Sequence, residues 1–131
     1  MNNEIVHYEI PARNAAKLSK FYASVFGWKF KDSGMQGMKY WLIEMGSAKP
    51  KGFLSSGGMY KRTRDEKPLN YIGSPNIDAT IIKFVKAGGK ITQKKHEVTG
   101  MGWSAKGIDP EGNVVGIFQA TMRAQSRRQR Q

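Results

Sequence analysis

The chain has 131 residues, of which 39% are hydrophobic, so it is long enough for one core and too short for two. It contains no cysteine, which excludes disulfide scaffolds and thiolate metal sites and favours a cytoplasmic location. The 22 Lys and Arg residues against 10 Asp and Glu residues give a net charge of +12, which indicates anionic partners such as nucleic acid or acidic metabolites. Residues 121–131 hold four of the arginines, and we expect them to form a disordered basic tail.

The first predicted element is a strand. Residues 5–10 alternate in the two-residue period of a strand, so His7 and Glu9 share one face and Tyr8 lies on the other. Pro11 should end this strand because it lacks a backbone donor.

A helix and three strands are predicted next. Asn14 is a candidate N-cap, apolar residues then recur at helical spacing as far as Phe26, and Gly27 should end the helix. The three strand patterns cover residues 28–32, 38–45 and 52–60.

The same order of elements then recurs. A strand over 69–74 precedes a helix that Asn76 caps, and further strands cover 90–98, 102–108 and 113–119. A shift of 62 residues places Asn76 on Asn14, which indicates an internal repeat. We therefore expect an α+β fold: two βαβββ modules, about 4–60 and 69–120, forming two curved mixed sheets around a central cavity with the helices outside, all in one domain over 1–120.

Three segments carry a family resemblance. They are an F-Y-x-x-x-F-G-W run over 21–28, the triplet Asn70-Tyr71-Ile72, and the turn D-P-E-G-N over 109–113. In this order they resemble the vicinal oxygen chelate superfamily, which includes glyoxalase I, bleomycin-resistance proteins and extradiol dioxygenases. The resemblance implies the two-module fold and a homodimer, formed either side by side or by exchange of modules.

Enzymes of this superfamily are expected to hold one divalent ion with ligands from the first and last strands of each module. His7 takes the first ligand position, Leu69 replaces the second, and Gln119 stands where the closing strand usually has a glutamate. The fourth position falls within 56–59, which offers no carboxylate or imidazole. A site of His7, Glu9 and Gln119 for Zn, Ni, Mn or Fe is one interpretation. We favour a metal-free cavity, in which His7 hydrogen-bonds to Glu9 or Gln119.

Aromatic side chains complete the predicted cavity. Trp41, Trp103 and Tyr71 could form flat walls for an organic ligand, or could pack in the core. Tyr40 has the same two interpretations. The predicted ligand-binding set is His7, Glu9, Trp41, Tyr71, Trp103 and Gln119.

Three functions follow from these observations. The first is binding of a small organic molecule, neutral or anionic because of the net charge, in the cavity between the modules. The second is a metal-dependent lyase or dioxygenase that uses His7, Glu9 and Gln119. The third is association with nucleic acid through the basic surface and the tail.

Overall fold

The elements of the computed structural model follow the predicted order. The structure describes residues 3–35, 37–45 and 57–121. The elements are β1 (Ile5–Ala12), α1 (Ala15–Phe26), β2 (Lys29–Asp32), β3 (Tyr40–Glu44), β4 (Gly57–Lys61), β5 (Leu69–Gly73), α2 (Ile77–Lys86), β6 (Lys90–Val98), β7 (Gly102–Ile108) and β8 (Val114–Ala120). The part of the predicted fourth strand before Gly57, and the tail after Thr121, lie outside the described residues.

All the strands belong to one mixed sheet. Its order is β2-β3-β4-β1-β5-β8-β7-β6. In each half the first strand pairs in parallel with the last, which pairs antiparallel with the third. The two halves therefore have the same topology, as the repeat predicts. The two predicted sheets are joined edge to edge, because β1 pairs antiparallel with β5 and makes them one eight-stranded sheet.

Both helices lie on one face of this sheet. Leu18 of α1 packs against a buried cluster of Ala12, Ile43 and Met59, and Ile77 of α2 lies in a second cluster with Ala105 and Ile117. Directly paired residues of neighbouring strands share a face, so the strand registers place both clusters on the same side. We call this side the helix face and the opposite side the helix-free face.

The predicted helix ends are confirmed. The side chains of Asn14 and Asn76 each accept a hydrogen bond at 3.0 Å from the backbone N–H three residues later. Gly27 follows α1 with φ of 76°, in the left-handed region that a residue without Cβ adopts most easily. These caps set where both helices begin and where α1 ends.

The first strand is longer than predicted, because it continues through Pro11 to Ala12. Beyond Glu9, β1 is paired with β4 alone, since its register with β5 runs only from Ile5 to Glu9. The missing N–H of Pro11 can therefore lie on the unpaired side of the strand, where it costs no ladder hydrogen bond.

Candidate functional site

Two polar side chains of β1 lie at the centre of the helix-free face. Tyr8 and Ile10 pack against the core cluster on the helix face, so the alternation of the strand turns His7 and Glu9 to the other side. Both are half-buried. The sequence predicts this placement correctly, because it depends only on the two-residue period of one strand.

A chain of hydrogen bonds converges on the Glu9 carboxylate. The phenol of Tyr40 donates to Glu9 Oε2 at 3.0 Å, and the phenol of Tyr71 donates to Oε1 at 3.1 Å. The Tyr40 oxygen also lies 2.7 Å from His7 Nε2. A phenol has a single proton, so His7 Nε2–H is the donor in that last bond. In this arrangement His7 Nε2 carries a hydrogen, and each carboxylate oxygen of Glu9 accepts one phenol.

A second polar side chain acts on Tyr71. Against the larger opposing effect of burial, Ser104 acts to lower the pKa of the Tyr71 phenol. Ser104 is itself buried. Both phenols thus give their hydrogen bond to Glu9, and the Tyr40 oxygen also accepts one from His7.

The phenols are strongly held in their neutral form. Burial raises the pKa of Tyr40 and of Tyr71 far above the usual range, and the charge of Glu9 acts in the same direction. Each ring is only 8% exposed. Tyr60 lies beside Tyr40 in the register, and burial first, then the charges of Glu66 and Glu9, raise its pKa to about 12. These tyrosines are hydrogen-bond donors throughout the physiological pH range.

Two glycines make room for the phenols. Gly58 is the partner of Glu9 across β4, and Gly116 is the partner of Tyr71 across β8. A methyl group built on Gly58 would overlap the Tyr40 phenol, and one built on Gly116 would overlap the Tyr71 ring. Each tyrosine therefore lies directly over the backbone of the last strand of a module. The sequence shows these glycines only as weak points in a strand, so their role was missed.

The two tryptophans lie on the opposite face from His7. Trp41 packs against the cluster around Ile43, and Trp103 packs against the cluster around Ile117. The Lys95 ammonium lies 5.6 Å from the Trp103 ring centroid on that side. This corrects their predicted place in a ligand cavity. Trp41 is adjacent to Tyr40 and Trp103 is adjacent to Ser104, and adjacent residues of a strand point to opposite faces of the sheet.

Gln119 also lies away from the site. Its Oε1 accepts a hydrogen bond at 2.8 Å from the backbone N–H of Ile77, the first residue of α2. Gln119 thus caps a helix on the helix face, while its neighbour Phe118 packs against Tyr71 on the other. The structure does not bring Gln119 together with His7 and Glu9, which corrects the predicted three-ligand set.

The residues present do not fit a divalent ion. Leu69 and Gly58 offer no ligand side chain at two of the positions that the resemblance assigns to ligands, and Gln119, at a third, is directed to α2 instead. Of the three predicted ligands, only His7 and Glu9 lie on this face, and both are hydrogen-bonded to tyrosine hydroxyls. Two protein ligands are fewer than the three that catalytic zinc sites use. Among the described residues, no group of three or more His, Cys, Asp or Glu side chains could hold a metal ion. The donor set is that of a hydrogen-bonding site.

Comparison with known proteins agrees with this fold. Residues 4–117 match the Glyoxalase/Bleomycin resistance protein/Dioxygenase superfamily, and the chain belongs to that family. Over 111 residues it is 28% identical to the putative glyoxylase CFP32 of Mycobacterium bovis and of Mycobacterium tuberculosis. That match covers 82% of this chain and 41% of each relative, so the chain spans less than half of their length.

Solved structures share the architecture at low identity. A hypothetical protein of Bacillus halodurans C-125 superimposes with a TM-score of 0.67 at 16% identity, covering 92% of this chain and 96% of that one. The Mn(II)-bound glyoxalase of Novosphingobium aromaticivorans superimposes with a TM-score of 0.63 at 14% identity, covering 89% of this chain and 38% of that one. These likenesses establish the fold alone. Neither helix in the described part of the chain has the length and apolarity to span a bilayer.

Proposed function

We propose that this protein binds a small organic molecule on the helix-free face, at the junction of β1 and β5, without a divalent metal. The observation that carries the proposal is the convergence of Tyr40 and Tyr71 on Glu9. One phenol comes from each module, so the polar centre of the face is assembled across the junction between them. Neutral phenols, an imidazole and a carboxylate are groups that orient an organic ligand by hydrogen bonds.

The residues around this centre supply apolar contact surface. Leu69 and Phe118 are buried beside Tyr71, and Val98 and Met101 pack against the same cluster. A few convergent polar groups within an apolar surround are the usual composition of a small-molecule site. Family membership is consistent with this use of the face.

The metal-dependent alternative predicts a different response to ions. We expect no stoichiometric uptake of Zn²⁺, Ni²⁺, Mn²⁺ or Fe²⁺ after dialysis. Any change that these ions cause in the melting temperature should be the same in the wild type and in His7→Ala. A fragment screen by NMR should instead move the resonances of residues on β1 and β5. One tightly held ion per chain that is lost in His7→Ala would overturn the metal-free proposal. A screen that moves no resonance on these strands would overturn the binding role.

We also propose that the protein forms a homodimer. Three large apolar side chains of α1, Phe21, Val25 and Phe26, are each more than half exposed. Apolar residues clustered on one helix are typical of an interaction surface. Val25→Lys should reduce the dimer fraction in sedimentation, while Lys20→Ala on the same helix should not.

The cytoplasmic location, drawn from the absence of cysteine, stays a prediction.

The nucleic-acid alternative has no support in the comparisons. Its main argument was the Arg-rich tail, of which residues 122–131 lie outside the described part of the chain.

A further inference from the structure

We infer that the group docking against Glu9 is a cation, and that the ligand is a small organic ammonium ion. This inference rests on the proposed ligand-binding role and adds the charge of the ligand. It reverses the expectation drawn from net charge, because the nearest charge to the docking position is the carboxylate and not the basic surface.

The first argument is the spare hydrogen-bonding capacity of Glu9. A carboxylate has about four lone-pair positions, and the two phenols use two of them. The remaining positions accept hydrogen bonds and cannot donate them. A ligand group that binds there must therefore be a donor, and a ligand carboxylate or phosphate would meet like charge instead.

The second argument is the absence of a protein cation at this carboxylate. In residues 3–35, 37–45 and 57–121 the ion pairs are Arg13 with Asp65 and Lys95 with Asp78, and neither involves Glu9. The Arg62 guanidinium is directed to the backbone oxygen of Pro11, at 3.5 Å. The Glu9 carboxylate thus accepts neutral phenols and takes part in neither ion pair, so an incoming ammonium would be able to pair with it directly.

The third argument is the aromatic surround. The rings of Tyr40 and Tyr71 give their hydroxyls to Glu9, and their centroids lie 6.5 Å and 6.0 Å from the His7 ring. Tyr60 lies on the same face as the register partner of Tyr40. The faces of phenol rings attract organic cations, and the half-buried ring of Tyr60 is more accessible than those of Tyr40 and Tyr71, which are each 8% exposed. The carboxylate and the Tyr60 ring therefore favour the same class of ligand.

The net charge of +12 does not oppose this at contact distance. At physiological ionic strength the Debye length is about 8 Å, so surface charges further away are largely screened. Lys106 does lie on the helix-free face, beside Gly116 in the register. Lys106 belongs to β7, which is three strands away from β1 in the sheet. At ~4.8 Å between neighbouring strands, β7 and β1 are about 14 Å apart.

Three probes of one shape and different charge test the inference: benzylamine, benzyl alcohol and benzoate. Each is titrated into the full-length protein at pH 7 and followed by amide resonances. We expect benzylamine to bind on β1 and β5 at least tenfold more tightly than the other two. Glu9→Gln, which keeps the shape of the side chain and an acceptor oxygen for one of the two phenols, should weaken the binding of benzylamine at least tenfold. Glu97→Gln, an equal charge change on exposed β6, should leave its affinity within twofold.

The outcomes separate this inference from the proposed function. Tighter binding of benzoate or benzyl alcohol at these strands, or an unchanged benzylamine affinity in Glu9→Gln, overturns the ammonium assignment and leaves a binding site in place. If none of the three probes moves a resonance on β1 or β5, and the fragment screen is silent there as well, both the assignment and the binding role fail.

Discussion

Tyr71 occupies the position in the second module that Glu9 occupies in the first, 62 residues earlier, and its phenol donates to that carboxylate at 3.1 Å. The two residues also have equivalent partners, since Glu9 pairs with Gly58 and Tyr71 pairs with Gly116. The repeat has therefore placed an acceptor in one half and its donor in the other. A hydrogen bond between equivalent positions makes the centre of the sheet chemically asymmetric.

Removal of either phenol should destabilise the fold. Tyr40→Phe or Tyr71→Phe leaves one Glu9 oxygen without its donor, and a hydrogen bond to a charged group contributes about 1.5–3 kcal/mol. Urea denaturation measures the loss directly. Tyr22→Phe is the matched control, because the Tyr22 ring stacks on Trp28 and its hydroxyl is not part of the chain to Glu9. An equal loss in all three variants would mean that the bonds to Glu9 add nothing specific.

The glycines under the tyrosines should not tolerate a side chain. Gly58→Ala places a methyl group against the Tyr40 phenol, and overpacking of this kind costs about 1–3 kcal/mol. The cost should shrink when Tyr40→Ala removes the phenol, so the two substitutions are coupled in a double-mutant cycle. Independent, additive effects would show that the close approach of ring and backbone is not the cause.

Gln119 should act as a helix cap with no role in metal binding. Gln119→Leu removes the acceptor for the Ile77 N–H and should cost about 1 kcal/mol of unfolding free energy. Gln119→Glu keeps an acceptor and adds negative charge at the start of α2, where the helix dipole favours it by about 0.3–1 kcal/mol. The glutamate variant should therefore equal or exceed the wild type in urea denaturation. If it is instead as weak as the leucine variant, Gln119 does not cap the helix.

Stability should fall at alkaline pH. The pKa values of Tyr40 and Tyr71 are raised above the model-peptide value of 10.0, so the folded state keeps phenol protons that the unfolded chain loses. Their contribution is complete below pH 10 and declines as the pH rises above it. The denaturation midpoint measured from pH 8 to 11.5 should show this decline. The decline should be shallower in the double variant Tyr40→Phe, Tyr71→Phe, and an identical pH profile would contradict the assignment.

The turn before β5, which contains Thr63, Arg64 and Glu66, should change its structure at acidic pH. Hydrogen bonds from the Arg64 and Thr63 backbones and from the Thr63 hydroxyl lower the pKa of Glu66 to about 2. A depressed carboxyl pKa means that the turn is favoured above the ordinary pKa of 4.5 and loses that support as the pH falls toward 2. The amide resonances of Thr63 and Arg64 should follow this midpoint. In Glu66→Gln they should show no such transition.

The sequence predicts features that depend on a single strand or helix end, and it misses features that depend on how the strands pair. The faces of His7 and Glu9 follow from the alternation of β1, and the caps at Asn14 and Asn76 follow from local chemistry. The predicted ligand-binding set wrongly includes Trp41 and Gln119, since nothing local shows which residues of β3 and β8 share a face with Glu9 and Tyr71. That choice is made by the register with Gly58 and Gly116. A one-residue slip exchanges the two faces of a strand.

The antiparallel pairing of β1 with β5 makes the polar centre depend on contact between the two halves of the chain. Glu9 belongs to the first half and its donor Tyr71 to the second, so the complete centre exists only while the two strands are paired. Severing the chain between β4 and β5 would leave two pieces, neither of which contains the whole centre. Any molecule that binds there would then stabilise the association of the two pieces.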